Sequence, residues 1–457
     1  MTSWALAILM AVLLVATLAT RPHMLMKPSF LVVLGWHVII QWQAAVQAHE
    51  VAAFLPDPFP FLILAHGFPL FGLAGSVLFG QAAARRTWER FKVSAAVPRL
   101  VFDTRALTLL AIAIVAIVLL YLATVPVNRT GLVIIFTDPD NSTQAREDSL
   151  KLINSALIRY SFEIMASCLA PLAVVLLGQW FVFSYRSQRP IRGLAAIAGI
   201  IAAILAVSLT GARGYSTMII ATLLAAVLYA RNFRIRILYL LTGALVVVLP
   251  STILTVLREG LELNLDIFLN YLGTAVFERI TKGPMDVGVF YVHYAQTHHF
   301  LGVGAIEKLA NLLDVPVINA PNLIGLEYVG TGVASVHANV SFVFSYYCYF
   351  GIVAFPFCLA GLWLLDVALV VYARISSQML LPVVASCAVA SASFISADYT
   401  TTLLTHGFAT VLLVGWGLDA VLRRRRRGTA SRSFASVTTD LNPVASRTLA
   451  SPVPGSL

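Results

Sequence analysis

Long uncharged apolar segments recur along this chain of 457 residues, and they constrain its fold more than any other feature. Several run for about 18 residues or more, the length that an α-helix needs to cross the hydrocarbon core of a bilayer. We therefore predict an all-α polytopic membrane protein with about eleven transmembrane helices. The predicted spans cover residues 4–20, 29–47, 61–82, 106–125, 160–185, 193–210, 216–230, 237–257, 351–373, 379–396 and 403–422.

The composition and the loop charges agree with this prediction. Of all residues, 59% are hydrophobic and 11% are charged. Arginine clusters follow the third, fifth, seventh and eleventh spans, whereas acidic residues are concentrated in the intervening loops. The formal net charge of +10 therefore indicates membrane topology and not nucleic-acid binding. The positive-inside rule predicts an N-terminus outside and a C-terminus in the cytoplasm.

Two regions are expected to lie outside the spans of a single membrane domain at 1–427. The connection at 258–350 has about ninety residues, and loops of that length usually carry function or structure of their own. Residues 428–457 are rich in Ser, Thr, Arg and Pro, which predicts a disordered cytoplasmic tail. Within the long outer loop we expect short helices at 267–276, 288–296 and 305–313.

Arg213 stands at the predicted outer end of a helical hairpin, between apolar segments at 191–209 and 217–228. An ionisable group between two apolar membrane segments costs free energy, so by default it indicates a functional site. Gly211 and Gly214 lack side chains that would keep a ligand away from the backbone. An arginine that reaches the lipid head groups is the alternative interpretation. As a site residue, Arg213 would bind an anionic, diphosphate-bearing substrate.

Further candidates lie downstream on the same predicted side. Arg279 and Lys282 are three residues apart and can share a helical face, where a guanidinium and a second cation suit phosphate oxygens. Arg258 closes the eighth span, although an ion pair with the next residue would also explain it. His337 precedes an aromatic run and can act as a general acid or base or donate to phosphate. Asn339 is its polar neighbour.

Three polar groups fall inside predicted spans: His66, Glu163 and Asp366. Such groups are site hypotheses by default, and together they would suit a proton relay in a transporter. Asp398 lies in the last outer turn, where its simplest role is to cap a helix. The four cysteines lack the spacing of a metal site or a disulfide framework, so we predict buried free thiols and no metal or other cofactor.

The stretch Thr210-Gly211-Ala212-Arg213-Gly214 resembles the Gly-Ser-Arg-Gly segment of Wzy-type O-antigen and polysaccharide repeat-unit polymerases, which are related to O-antigen ligases. Arg279 followed by residues 299–304 (HFLGVG) is similar to the arginine and glycine pattern of that family, and residues 335–339 (SVHAN) to its His-Asn segment. The resemblance covers about residues 190–375. The chain lacks the proline that precedes the glycines in the family, and Ala338 separates His337 from Asn339.

This resemblance implies a metal-independent glycosyltransferase with a GT-C-like bundle in the bacterial cytoplasmic (inner) membrane. Its donor and acceptor would be polyprenyl-diphosphate-linked glycans, joined on the outer face into an O-antigen, capsule or exopolysaccharide. Arg213 and Arg279 would stabilise the diphosphate, and Arg258 is the alternative residue for this role. His337 would orient or deprotonate the acceptor. A chain-length regulator protein is a possible partner in addition to membrane lipids.

Two alternatives stay open at this point. An O-antigen ligase would use the same donor with a different acceptor, and the sequence does not separate these two activities. A proton-coupled transporter or flippase is the alternative from another class. That alternative predicts discontinuous helices and paired halves, and neither signal is clear in the sequence.

Overall fold

The computed structural model describes residues 2–96, 104–137, 153, 155–211, 213–233, 264–273, 282–330, 338–375 and 379–422, with scattered positions between 242 and 256. Residues 90–96 and Arg213 are described by their backbone alone. All regular elements in these residues are helices. Eight are long and apolar enough to cross a membrane, which confirms a polytopic helical membrane protein: Thr2–Thr20, Pro28–Val46, Phe59–Leu78, Thr104–Thr124, Ala156–Arg186, Pro190–Ser208, Phe342–Ile375 and Tyr399–Leu422.

Two shorter apolar helices, Gly214–Ala230 and Leu380–Ile395, coincide with the seventh and tenth predicted spans. The eighth predicted span, 237–257, falls mostly outside the described residues, so the total of eleven stays a prediction. The predicted tail at 428–457 also lies outside them. All four cysteines are buried and free, as predicted.

A proline interrupts the regular α-helical hydrogen bonding of the third span near its middle. Pro69 has no N–H to donate to the carbonyl of Ala65, and a proline ring clashes with the carbonyl four residues earlier. The helix relaxes into a π-helical turn at Ile63–Gly67. The indole of Trp36 then donates a hydrogen bond of 3.1 Å to the Ala65 carbonyl. The acceptor left without its helical partner is thus satisfied by a neighbouring helix, as a membrane interior requires.

The fifth span repeats this arrangement at Pro171, where the π-helical turn is Met165–Leu169. Here the carbonyl of Ser167 loses its helical donor. The backbone of Gly407 lies against that carbonyl so closely that a Cβ on Gly407 would be 2.6 Å from the oxygen. Gly407 also has a φ of +87°, so glycine is required by conformation and by space.

The described residues in 282–330 and 338–350 form a helical cap built from three helices: the first cap helix Gly283–Thr297, the second Ala320–Tyr328 and the third Phe342–Phe350. Two short helices, Leu265–Tyr271 and Glu307–Leu312, lie in the same connection. Helices therefore overlap all three stretches expected in the long loop. The second cap helix was not anticipated, although Asn319 caps it by accepting from the backbone N–H of Asn322.

Aromatic stacking joins the cap to the bundle. Phe344 of the third cap helix stacks on Trp36, with ring centroids 5.5 Å apart, and on Phe61 at 5.6 Å. All three rings are fully buried. Gly288 of the first cap helix admits Phe344, since a Cβ there would lie 2.6 Å from its ring. Close packing of these three buried rings makes the cap an integral part of the core.

A buried ion pair closes the opposite end of the helix Pro28–Val46. Lys27 lies 3.1 Å from Asp366, and its ammonium also donates to the carbonyls of Ser76 and Phe79. Asp366 accepts from the backbone N–H of Ser29 at 2.9 Å and from its hydroxyl at 2.5 Å. Three helices are therefore fixed to one another by a network in which both charges are compensated.

Candidate functional site

Two glycines in close contact hold the turn that carries Arg213. Gly211 has a φ of +71°, and a Cβ on Gly131 would lie 2.2 Å from the carbonyl oxygen of Thr210. Beside this contact, the backbone N–H of Leu132 donates a 3.1 Å hydrogen bond to the carbonyl oxygen of Leu209. The short helix Gly131–Thr137 therefore fixes the turn by direct backbone packing.

Arg213 is the first residue of the helix Arg213–Ala230. Its side chain lies outside the described residues. Gly214, one residue on, is exposed, and no atom from another element of the described residues lies within 4 Å of a Cβ placed there. Backbone N–H groups at the start of a helix favour anions.

Arg258, Arg279 and His337 lie outside the described residues, so their placement stays a prediction. Lys282 is exposed at the N-cap of the first cap helix. Asn339 is exposed just before the third cap helix. The hydroxyl of Tyr291, in the first cap helix, donates a 3.0 Å hydrogen bond to the carbonyl of Ala338. The cap therefore ties the helix that begins after Lys282 to the segment that contains Asn339.

The cap also assembles a cluster of groups that can exchange protons. A hydrogen bond of 2.7 Å joins His293 to the hydroxyl of Tyr328. His298 lies 3.8 Å from Glu327 and stacks on the ring of Tyr294 with centroids 4.4 Å apart. Burial, and then the charge of Glu327, raise the pKa of Tyr328, so its hydroxyl stays protonated and can donate. Imidazole, phenol and carboxylate groups together suit acid–base chemistry.

Sequence reasoning missed most of this cluster. In the sequence, His298 and its neighbour His299 point to different faces, which gives no shared site, and His293 and Tyr328 carry no motif. Their contact joins residues 35 positions apart. No periodic signal joins His293 and His298, because they are five residues apart and His298 follows the last residue of the helix.

Asp286, in the first turn of the first cap helix, is a half-buried carboxyl. Its burial raises the pKa; the charge of Glu50 acts in the same direction, while Lys282 opposes it. The folded cap therefore binds a proton here more tightly than the unfolded chain does. The stability contributed by this carboxyl is full below about pH 4, the ordinary aspartate value, and falls as the pH rises through the raised value.

We expect the Asp286→Asn variant to gain stability relative to the unmodified protein as the pH rises from about 4 to 7. Thermal unfolding in detergent at several pH values measures this difference. Asp266→Asn is the control, because Asp266 is exposed in the first turn of another helix of the same connection. Parallel pH profiles for Asp286→Asn and the unmodified protein would contradict the assignment.

A second feature, the aromatic wedge, is the cavity between the third cap helix and the helix Ala354–Ile375. The two helices meet at Gly351, which has a φ of +70°. A Cβ there would lie 2.9 Å from the ring of Phe300, so the bend requires glycine. The cavity has a volume of about 480 Å³, within the range of ligand sites. Its lining includes Phe342, Tyr346, Phe350, Phe357, Cys358 and Tyr399.

The three intramembrane polar groups lie in different surroundings. Asp366 belongs to the ion pair with Lys27. His66 is hydrogen-bonded to Gln41 at 3.2 Å, and Gln41 in turn to His37 at 2.9 Å. Glu163 interacts electrostatically with Arg159. Each group thus has its own local partners, and the contacts of the described residues do not connect them into a relay.

Asp398 caps the helix Tyr399–Leu404, which confirms the predicted role of this residue. One carboxylate oxygen accepts from the backbone N–H of Thr400 at 3.0 Å and from its hydroxyl at 2.5 Å. Capping of this kind satisfies backbone donors that a helix start leaves free.

Comparison with known proteins returns no match: no family model, no curated protein and no solved structure is similar to this chain.

Proposed function

We propose that this protein polymerises polyprenyl-diphosphate-linked oligosaccharide repeat units on the outer face of the bacterial cytoplasmic membrane. The observation that carries the proposal is the pairing of two features. Arg213 begins a helix at a turn fixed by backbone packing. The described parts of the long connection downstream, in which the other candidate residues also lie, form a cap joined to the bundle core. An enzyme that acts on a lipid-linked substrate needs a folded surface of this kind, formed by the turn and the cap, at the end of its membrane bundle.

The proposed reaction is a substitution at the anomeric carbon of the donor sugar. The acceptor hydroxyl forms the new C–O bond, and the bond between the sugar and the diphosphate breaks. The diphosphate leaves with the bonding electrons, so negative charge grows on it in the transition state. The side chains of Arg213 and Arg279 stabilise the charge of the transition state more than that of the ground state. Arg258 and Lys282 extend the cationic surface for the diphosphate.

The proton of the acceptor hydroxyl goes to His337, and Asn339 orients the acceptor by hydrogen bonding. The hydrogen bond between Tyr291 and Ala338 supports this assignment, since it holds Ala338, the residue next to His337, against the first cap helix. A general base must lie within hydrogen-bonding reach of the hydroxyl, so a rigid support for its segment favours the reaction.

The same site would serve an O-antigen ligase, which differs in its acceptor. The transporter alternative receives less support. Asp366 is held by Lys27 and Ser29 in a compensated network, and a coupling carboxylate must instead release and bind protons during transport. We propose a GT-C-like bundle with its N-terminus outside, and a chain-length regulator as a partner.

The proposal is tested with purified protein in nanodiscs that contain a polyprenyl-diphosphate-linked repeat unit, without added metal or nucleotide sugar. We expect a ladder of lengthening glycans on a gel. A single transfer to an added lipid acceptor, without a ladder, would identify a ligase. Unchanged substrate in both assays would contradict the glycosyltransferase assignment.

A further inference from the structure

The connection between the first and second cap helices presents a dense run of exposed apolar side chains. They lie within residues 309–317, here called the apolar loop, and are Leu309, Leu312, Leu313, Val315 and Val317. Leu312 is 79% exposed, although leucine is among the residue types most often buried. Single exposed apolar residues are common in proteins, but a run of this density indicates an interaction surface.

The apolar loop has a defined shape. The backbone N–H of Ile318 donates a 2.8 Å hydrogen bond to the carbonyl of Gly304, so the two ends of the segment are joined. Within it, the backbone N–H of Val315 donates to the carbonyl of Ala310 at 2.9 Å, and Ala310 is fully buried. Compact loops with joined ends of this kind are frequently functional. The exposed side chains are therefore carried by a folded backbone.

The helix Ala354–Ile375 indicates where the membrane boundary lies on the cap side. Its 22 residues are enough to cross the hydrocarbon core, which is about 30 Å thick. Val353 and Phe357, at its start, are apolar and exposed. Exposed apolar side chains on a membrane-spanning helix face hydrocarbon. The bend at Gly351, just before this helix, is therefore close to the boundary between hydrocarbon and head groups.

The base of the apolar loop is attached at this level. The ring of Phe300 lies against Gly351, since a Cβ on that glycine would be 2.9 Å from it. The backbone N–H of Leu301 donates a 3.2 Å hydrogen bond to the carbonyl of Cys348, in the last turn of the third cap helix. Gly304, three residues further, already belongs to the joined end of the loop. The exposed apolar surface of the loop thus starts beside the hydrocarbon-facing surface of the spanning helix.

The charges around the apolar loop suit a position at this boundary. Residues 309–317 contain one formal charge, Asp314, whereas Glu307 and Lys308 come immediately before them and are exposed. A lysine side chain can extend its ammonium from apolar surroundings to the head groups. Segments with an apolar surface and charged flanks lie in the membrane interface, where acyl chains meet head groups.

We propose that the apolar loop inserts into the lipid leaflet on the cap side and contacts acyl chains there. Leu312, Leu313 and Val317 enter the hydrocarbon, and removal of their apolar surface from water drives the insertion. Glu307 and Lys308 stay among the head groups. Lipid thereby holds the cap at the membrane, in addition to the packing of the cap on the bundle. This lipid-binding surface goes beyond the proposed polymerase reaction and does not depend on it.

Spin labelling measures the depth of the loop. All four native cysteines are buried, so a nitroxide thiol reagent labels a cysteine introduced at an exposed position. The full-length Leu313→Cys variant is labelled and reconstituted at one molecule per phosphatidylcholine nanodisc. Collision rates of the nitroxide are then measured with oxygen, which concentrates in hydrocarbon, and with a polar nickel chelate, which stays in water.

Two reference positions calibrate this measurement. Val367→Cys reports hydrocarbon, because Val367 is exposed on a spanning helix. Glu307→Cys reports the aqueous side of the loop, because this exposed acidic residue begins the short helix Glu307–Leu312. We expect the ratio of oxygen to nickel collisions at Leu313→Cys to exceed that at Glu307→Cys about tenfold, because transfer of polar groups into hydrocarbon is costly.

A charge on the apolar loop should weaken the insertion. Leu312→Asp, combined with a label at Val317→Cys, should lower the ratio of oxygen to nickel collisions at that label. The high exposure of Leu312 means that this substitution removes little packing within the protein. Leu326→Asp is the matched control, because Leu326 is an exposed leucine of the second cap helix, outside the loop. It should leave the ratio at Val317→Cys unchanged.

Three results would overturn the proposal. A nickel collision rate at Leu313→Cys as high as that at Glu307→Cys would place the loop in water. Low collision rates with both reagents would show that protein covers the loop, either another part of the chain or a second copy. An unchanged ratio in Leu312→Asp would exclude a contribution of this surface to membrane contact. These readouts need no turnover, so a failure to make polymer leaves them unaffected.

Discussion

Replacement of Asp366 by alanine will lower the free energy of unfolding by about 3–5 kcal/mol, because it leaves a buried ammonium without its carboxylate. The side chains of Lys27 and Asp366 are only 1% and 6% exposed. The carbonyls of Ser76 and Phe79 would still accept from Lys27, but they are neutral and do not compensate its charge. Denaturant titration in detergent, followed by circular dichroism, measures the change.

Two further variants test whether the loss of stability is specific to the buried ion pair. Arg85→Ala breaks an exposed pair with Glu89, whose side chains are 73% and 54% exposed, and should change stability little. The double variant with Lys27→Met and Asp366→Leu should recover most of the loss, since apolar residues often replace buried ion pairs without penalty. A stability for Asp366→Ala equal to that of Arg85→Ala would show that the buried pair contributes nothing.

Arg213→Lys will reduce the rate of polymer formation by about 10²–10³, the loss typical when one preorganised donor to a developing anion is removed. Lysine keeps the positive charge but lacks the planar fork that holds two phosphate oxygens at once. The measurement is the initial rate of ladder formation in nanodiscs at equal protein content. Arg213→Ala removes charge and fork together and should abolish the ladder.

Arg159→Lys is the matched control, because Arg159 also lies near the start of a membrane helix and rests over the ring of Tyr160 at 5.5 Å. The Arg159→Lys variant should form the glycan ladder at the same rate as the unmodified protein. A normal ladder from Arg213→Lys would exclude bidentate phosphate binding, and a normal ladder from Arg213→Ala would remove this residue from the site.

Hydropathy alone predicted most of the membrane helices, because about 18 uncharged apolar residues have few alternatives to a spanning helix. It placed the start of the ninth span at 351, whereas the helical segment begins at Phe342 and bends at Gly351. The aromatic residues before the glycine belong to the cap, and their contacts with Trp36 and Phe61 decide the bend. Partners so distant in sequence leave no periodic signal.

The candidate site was predictable in part. Arg213 and its glycines form a local motif, and the structure explains Gly211 by its positive φ and its contact with Gly131. The pairing of His293 with Tyr328 depends on tertiary packing. Sequence reasoning gave Asp398 a capping role, and only the three-dimensional arrangement distinguishes its two oxygens.

The stacking of Phe344 between Trp36 and Phe61 has a consequence for anyone who would study the cap by itself. A fragment cut from 282–350 would expose the aromatic faces that the bundle now covers, and the bundle would expose Trp36 in turn. Neither half is a self-sufficient folding unit. The described part of the long connection is thus an integral part of the bundle, and dissection of this protein has to proceed by point substitution in the intact chain.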